Sequence, residues 1–171
     1  MRIKGGVNVP MTTEATERVP RSELALLYER RFPPMVRLAH LITGSNAVAA
    51  DLVQDAFLKV APRLDAIDTP DAYLRTVVVN ECRSWLRRRE VERRHAPEVA
   101  SEHAALPPEV DEIWQALAGL SERQRAALVL RFYEDLPLEE IARTLGCRLG
   151  TAKSLVHRGL AALKEVLGDD A

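Results

Sequence analysis

Two stretches of this chain carry hydrogen-bond donors and cations at helical spacing, and both suit nucleic acid. In the first, Leu74, Val78, Cys82 and Trp85 recur on one side of a helix, and Thr76, Asn80, Arg83, Ser84 and Arg87 fall on the other. The polar side runs into Arg87-Arg88-Arg89 and then Arg93-Arg94-His95. Arginines neutralise phosphates, while Asn80 and Arg83 suit base edges or an unpaired base. Taken alone, a solvated helix end whose cations complement the macrodipole explains the same residues equally well. The second stretch begins at Arg148 and continues through Gly150-Thr151-Ala152-Lys153-Ser154. Thr151, Lys153, Ser154, His157, Arg158 and Lys164 form one arc, opposite Leu149, Ala152, Val156, Leu160, Leu163 and Leu167. A donor face opposite a buried face is what a major-groove recognition helix needs. The presence of this second unit favours the nucleic-acid reading of the first.

The elements that position the second stretch are legible. Ser121 and Gln124 form a capping box that opens a supporting helix through Ala126-Ala127-Leu128-Val129-Leu130. Leu138 to Leu145 is a short amphipathic helix, with Pro137 at its start and Gly146 at its stop. The sequence from Leu120 to Leu167 therefore reads as a helix-turn-helix. For the first stretch, Asp68 or Thr69 caps the helix, Pro70 occupies its first turn, and Leu64 to Thr69 is a short loop before it. An earlier helix spans Ser22 to Thr43, interrupted or bent near Pro33-Pro34. Gly44-Ser45-Asn46 turns into another that Pro62 ends.

That middle helix offers a different surface. Asp51, Gln54 and Asp55 lie at i, i+3 and i+4, on one face, with Leu52, Val53, Ala56 and Val60 on the apolar side. An acidic face repels DNA and suits a basic protein partner. Plain solvated surface, with Asp55 paired to Lys59, is the competing explanation.

The chain has 171 residues, 24 Lys and Arg against 25 Asp and Glu, and 5% aromatics. Near-neutral charge argues against avid non-specific DNA binding by the whole chain. Abundant Ala, Leu and Arg, with no alternating pattern, predict an all-α protein of two small helical domains. Residues 1–20 are polar and aperiodic and are expected to be disordered, with Met11 an alternative start. The first domain covers 21–95 and the second 110–171. Residues 96–109 form a flexible acidic linker with three prolines, three glutamates and no Lys or Arg. No membrane-length apolar run or signal-peptide core is present, so a cytoplasmic protein without membrane insertion is expected. Cys82 and Cys147 lack neighbours at metal spacing, and the four histidines fall in separate segments. No nucleophile elbow or phosphate-binding glycine loop occurs. A non-enzyme without metal or cofactor is the expectation.

With these motifs in order, the chain resembles the sigma-70 family, specifically its two-domain ECF (extracytoplasmic function) group, with the actinobacterial sigma-E-like subgroup the subdivision it suggests. Asp51-Leu52-Val53-Gln54-Asp55-Ala56-Phe57-Leu58 is similar to the region 2.2 motif. The resemblance implies that Asp51, Leu52, Gln54, Asp55 and Phe57 bind the β′ clamp helices of RNA polymerase. Ala72-Tyr73-Leu74-Arg75 through Asn80 to Arg89 resembles regions 2.3 and 2.4, which implies that Asn80, Arg83, Arg87 and Arg88 serve the −10 promoter element. Leu120 to Arg125 and Leu138 to Ala142 resemble region 4. Arg148, Thr151, Lys153, Ser154, His157 and Arg158 would then meet the −35 element. The implied partners are polymerase core (β′ clamp helices and β subunit), promoter DNA and an anti-sigma factor. The sequence departs from the family pattern at Tyr73, where tryptophan is common, at Ala61-Pro62, at Pro137, and at Leu155, where a cation is common. Leu155 either extends the core or leaves one fewer phosphate contact. Two other functions fit the helix-turn-helix: a stand-alone transcriptional regulator, which predicts a dimer and a palindromic operator, and a helical interaction protein without promoter recognition.

Overall fold

The computed structural model describes residues 22–93 and 108–168. The expected disordered head, Arg94, His95 and nearly all of the expected linker lie outside them. The described residues are helical, with no strand among them.

Ser22 starts α1 (Glu23–Thr43), its hydroxyl accepting from the Ala25 N–H at 3.2 Å, and Gly44 ends it in the left-handed conformation. Helix α1 continues through Pro33-Pro34 without the expected interruption. Packing holds it there: Phe32 and Met35 face the core, and Tyr133 of the second unit donates to the Pro34 carbonyl at 3.2 Å. Helix α2 (Asn46–Val60) follows Ser45, which caps it by position but makes no side-chain cap bond. Pro62 diverts the chain into a 3₁₀ turn, Ala61–Ala66, where a loop was expected from Leu64 onward, and Leu64 is buried beneath it. Helix α3 (Pro70–Arg93) completes the first unit. Leu38 and Ile42, Val53 and Val60, and Leu74, Val78 and Cys82 meet in its core.

The second unit begins with α4 (Pro108–Leu117), two residues before the expected domain start at residue 110. The Ser121–Gln124 capping box is present at the start of α5 (Glu122–Leu128). The supporting helix then widens into a π turn, Val129–Tyr133, and Asp135 takes a left-handed conformation. Aspartate tolerates this geometry better than most side chains. The wide turn carries Phe132 into solvent and brings Tyr133 and Glu134 to the first unit. Helices α6 (Leu138–Leu145) and α7 (Leu149–Leu167) form the helix-turn-helix, joined by the left-handed Gly146. Helices α5 and α7 cross at Gly159, where an added Cβ would lie 3.0 Å from Leu128 Cγ.

The two units pack together. Trp114 of α4 lies flat against Gly44, so that a Cβ there would overlap its indole. Its other neighbours are His40, edge-on at 6.2 Å, and the Arg125 guanidinium, 4.8 Å from the ring centre.

Candidate nucleic-acid interface

Helix α2 presents Asp51, Gln54 and Asp55 to solvent on one face, as its spacing requires. Leu58 extends that face and is 68% exposed. Leu52 and Phe57, which the resemblance assigns to polymerase binding, are buried in the core of the first unit. Phe57 packs against Tyr28, ring centres 4.9 Å apart, and Tyr28 stacks on Phe32. The five apolar residues Leu52, Val53, Ala56, Phe57 and Val60 form one helical stripe, a burial signal legible in the sequence. Lys59 pairs with Glu81 of α3 rather than with Asp55.

Helix α3 buries more than one side. Leu74, Val78 and Cys82 face the first unit's core, while Arg75 and Arg83 turn towards the second unit. Asn80 is exposed and sits in an open cavity of about 360 Å³ with Lys59, Arg63, Tyr73 and Val77. Asn80 and Arg83, read as one face, are therefore separated: Asn80 is open to a ligand and Arg83 is engaged. The Ile67–Thr69 segment walls a different cavity, of about 340 Å³, with Tyr73, Arg75 and Thr76. Glu140, Arg143 and Thr144 of α6 close its far side. Arg87 and Arg88 are exposed, and Arg89 stacks over Trp85 with its guanidinium 5.1 Å from the ring centre. Burial pushes the Cys82 thiol well above its ordinary value, which leaves it protonated and unreactive.

Helix α7 displays Arg148, Lys153, Ser154, His157 and Arg158 to solvent, with Thr151 half-buried at the edge. Two positions depart from the expected arc. Leu149 is exposed, and Leu155 is buried at 7% exposure. Leu155 extends the core, so no phosphate contact is available there.

Several contributors were missed by sequence reasoning. Arg31, Arg75, Tyr133 and Glu134 bridge the units. Ile113 and Phe132 join Leu41, Leu117, Leu160 and Leu163 around an apolar groove of about 390 Å³. The only sequence signal was Phe132-Tyr133-Glu134-Asp135, an aromatic pair beside acids between two helices. No cluster of metal-ligating side chains occurs among the described residues, and none of their helices is long and apolar enough to cross a membrane.

An exposed acidic face, a basic helix beside an open polar cavity and a helix-turn-helix on one all-helical frame define a two-unit DNA-binding transcription factor. The family models for sigma-70 region 2 and sigma-70 region 4 match residues 27–91 and 110–163. RNA polymerase sigma-E factor of Streptomyces coelicolor is 34% identical over 145 residues, covering 78% of this chain and 79% of that protein. ECF RNA polymerase sigma factor SigM of Mycobacterium tuberculosis is 32% identical over 151 residues, covering 83% and 76%. The sigma factor RpoE of Bartonella quintana, solved in complex with the anti-sigma factor NepR, superposes with a TM-score of 0.73 at 29% identity, covering 85% of this chain and 97% of that one. The chain belongs to the sigma-70 family, in its ECF group of RNA polymerase sigma factors.

Proposed function

We propose that this ECF sigma factor binds RNA polymerase core through the exposed Asp51, Gln54, Asp55 and Leu58 face. It then directs promoter recognition, melting and initiation through α3 and α7. The observation that carries this reading is the pair of exposed donor surfaces, Asn80 with Arg87 and Arg88 on one unit and Lys153 to Arg158 on the other. Asn80 holds an unstacked base of the −10 element in the cavity beside Tyr73. Unstacking costs a few kcal/mol per step, which base contacts and phosphate pairing offset. Arg87 and Arg88 position the backbone, and α7 anchors the −35 element. The chain works in the cytoplasm as a binding subunit, and the polymerase supplies the chemistry. An anti-sigma factor is a further partner: the relative RpoE is solved with one, and the apolar groove edged by Ile113 and Phe132 suits an amphipathic helix.

The test is promoter binding and run-off transcription with and without core polymerase at physiological salt. Specific binding should need core, which holds the units at the promoter spacing and raises their effective concentration. Lys153→Ala with Arg158→Ala should abolish it at promoters that depend on the upstream element. Tight sequence-specific binding by the free chain would indicate a stand-alone regulator instead.

A further inference from the structure

The second unit holds a buried cation whose donors are not satisfied. Arg125 of α5 is 7% exposed, and its guanidinium lies 4.8 Å from the centre of the Trp114 ring. Its Nε is enclosed and donates to no acceptor among the described residues. Arg31 and Arg75 also keep an unpaired Nε, but each pairs with Glu134 through another nitrogen. Arg125 has no ion pair of this kind among the described residues. Burial lowers its pKa from the ordinary arginine value, and the Glu122 carboxylate restores only part of the loss. A desolvated cation without a charge-assisted hydrogen bond is destabilising. Arg125 edges a cavity of about 610 Å³ between the end of α3 and helices α4 and α5. Arg87, Arg89 and Arg93 line the same cavity from α3. Its two carboxylates are already engaged: Glu122 accepts from Arg83 at 2.8 Å, and Glu90 lies 3.9 Å from Arg93. Four guanidinium groups against two carboxylates leave an excess of positive charge. Stacking on Trp114 accounts for the place of Arg125 alone. It does not account for three further arginines around one cavity.

We propose that this cavity binds a small phosphate-bearing anion, through the pyrophosphate group that nucleoside diphosphates and free pyrophosphate share. A guanidinium fork meets phosphate oxygens in paired hydrogen bonds, which a point charge does not reproduce. An excess of two cations suits a ligand with two or more negative charges, and a monoanion would leave one cation unpaired. The volume lies within the range of about 300–1,000 Å³ usual for small-molecule sites. Leu86, Val91 and Leu120 supply an apolar wall beside the arginines, a mixture typical of such sites. Nη2 of Arg87 donates to Ser84 Oγ at 3.0 Å, and its other nitrogens remain for the ligand. Arg87 also belongs to the set proposed to position the DNA backbone. On that reading the anion and promoter DNA compete for it, and the ligand lowers DNA affinity.

The test is calorimetric titration of the full chain at physiological salt with pyrophosphate, adenosine diphosphate, orthophosphate and sulfate in turn. One site per chain should bind pyrophosphate, with orthophosphate and sulfate weaker by about tenfold or more. Tighter binding of adenosine diphosphate than of pyrophosphate identifies a nucleotide as the source, and the reverse identifies the free anion; either supports the site. Arg125→Lys keeps the charge and removes the fork, and should weaken binding about tenfold. Because Arg125 is buried, Arg93→Gln at an exposed position is the second variant, and it should weaken binding without disturbing the core. Arg123→Gln removes an exposed cation of α5 outside the cavity and should leave binding unchanged. Pyrophosphate should also raise the midpoint of thermal unfolding, and less so in Arg93→Gln. No binding, equal affinity for all four anions, or an equal loss in Arg123→Gln overturns the proposal. So does binding that appears only with Glu98→Gln plus Glu102→Gln, because the chain's own carboxylates would then be the occupant. Saturating pyrophosphate, against sulfate at matched ionic strength, should weaken binding of a single-stranded −10 oligonucleotide. Unchanged DNA affinity overturns the sharing of Arg87 and leaves the anion site standing. Failure of core-dependent transcription counts against the sigma-factor reading alone.

Discussion

Replacing Gly44 with alanine tests whether the units are joined by the Trp114 contact. Gly44 has φ of +78°, and Gly146 has φ of +60° with nothing near the position of an added Cβ. Each alanine substitution incurs the left-handed penalty, about 1–2 kcal/mol. At Gly146 that is the whole cost. At Gly44 the new Cβ falls where the indole of Trp114 lies. The end of α1 cannot yield, because His40, Leu41, Ile42 and Thr43 are all buried in the core, so the indole must leave. Returning about 100 Å² of indole surface to water costs about 2.5 kcal/mol at ~25 cal/mol per Å². Loss of the Arg125 contact adds about 0.5–1 kcal/mol. The two variants should therefore differ by about 3 kcal/mol. Denaturant unfolding followed by circular dichroism gives the difference. In a Trp85→Phe background Trp114 is the sole tryptophan, and its emission, excited at a wavelength that tyrosine does not absorb, should shift to the red in the Gly44 variant alone. Equal destabilisation by the two alanines, with unshifted emission, would refute the contact.

Asp51→Arg with Asp55→Arg should weaken core binding at least about tenfold, a change of about 1.4 kcal/mol, with an unaltered circular dichroism spectrum, because both side chains are exposed. Asn80→Ala should impair open-complex formation at particular promoter bases. Arg87→Ala or Arg88→Ala should instead weaken binding uniformly and lower the salt slope by about one; a common pattern for all three would contradict the division into reading and positioning. The Cys82 thiol is raised by burial, so the native state keeps a proton that the unfolded chain releases. Its stabilising contribution is complete below an unfolded thiol value of about 8.5 and falls by about 1.4 kcal/mol per pH unit above it. Cys82→Ala should be less stable at neutral pH and flatten that alkaline decline, measured by urea titrations at several pH values. Leu155→Lys, which restores the cation common in the family, should cost a few kcal/mol rather than improve DNA binding, because position 155 faces the core.

What the sequence made legible was local. The capping box at Ser121 and Gln124, the stop at Gly146 and the donor arc of α7 each depend on residues within one or two turns, and each is present. The errors arose where distant segments decide. Pro33-Pro34 reads as an interruption or a bend, and packing on both sides keeps α1 a single helix without interruption. Leu52 and Phe57 belong to the polymerase-binding motif by resemblance, and their own periodicity, shared with Val53 and Val60, accounts for their burial in the free chain. Arg83 reads as part of an open polar helix face, because its partner Glu122 lies 39 residues away in sequence. The π turn at Val129–Tyr133 adds a further displacement that no 3.6-residue period can anticipate.

The near-neutral charge of the whole chain takes on a different meaning once these partners are located. A net charge of −1 was reason to expect weak DNA affinity in the free protein. Its distribution matters more than its sum. The carboxylates that cancel the arginines of α3 are held against them by the DNA-binding unit itself, at 2.8 to 3.3 Å. A uniform dilution of basic charge would leave each arginine available. Pairing within the fold neutralises Arg75 and Arg83 and leaves Arg87 and Arg88 exposed. The charge of the whole chain therefore understates the basic character of the surfaces that stay open to a ligand.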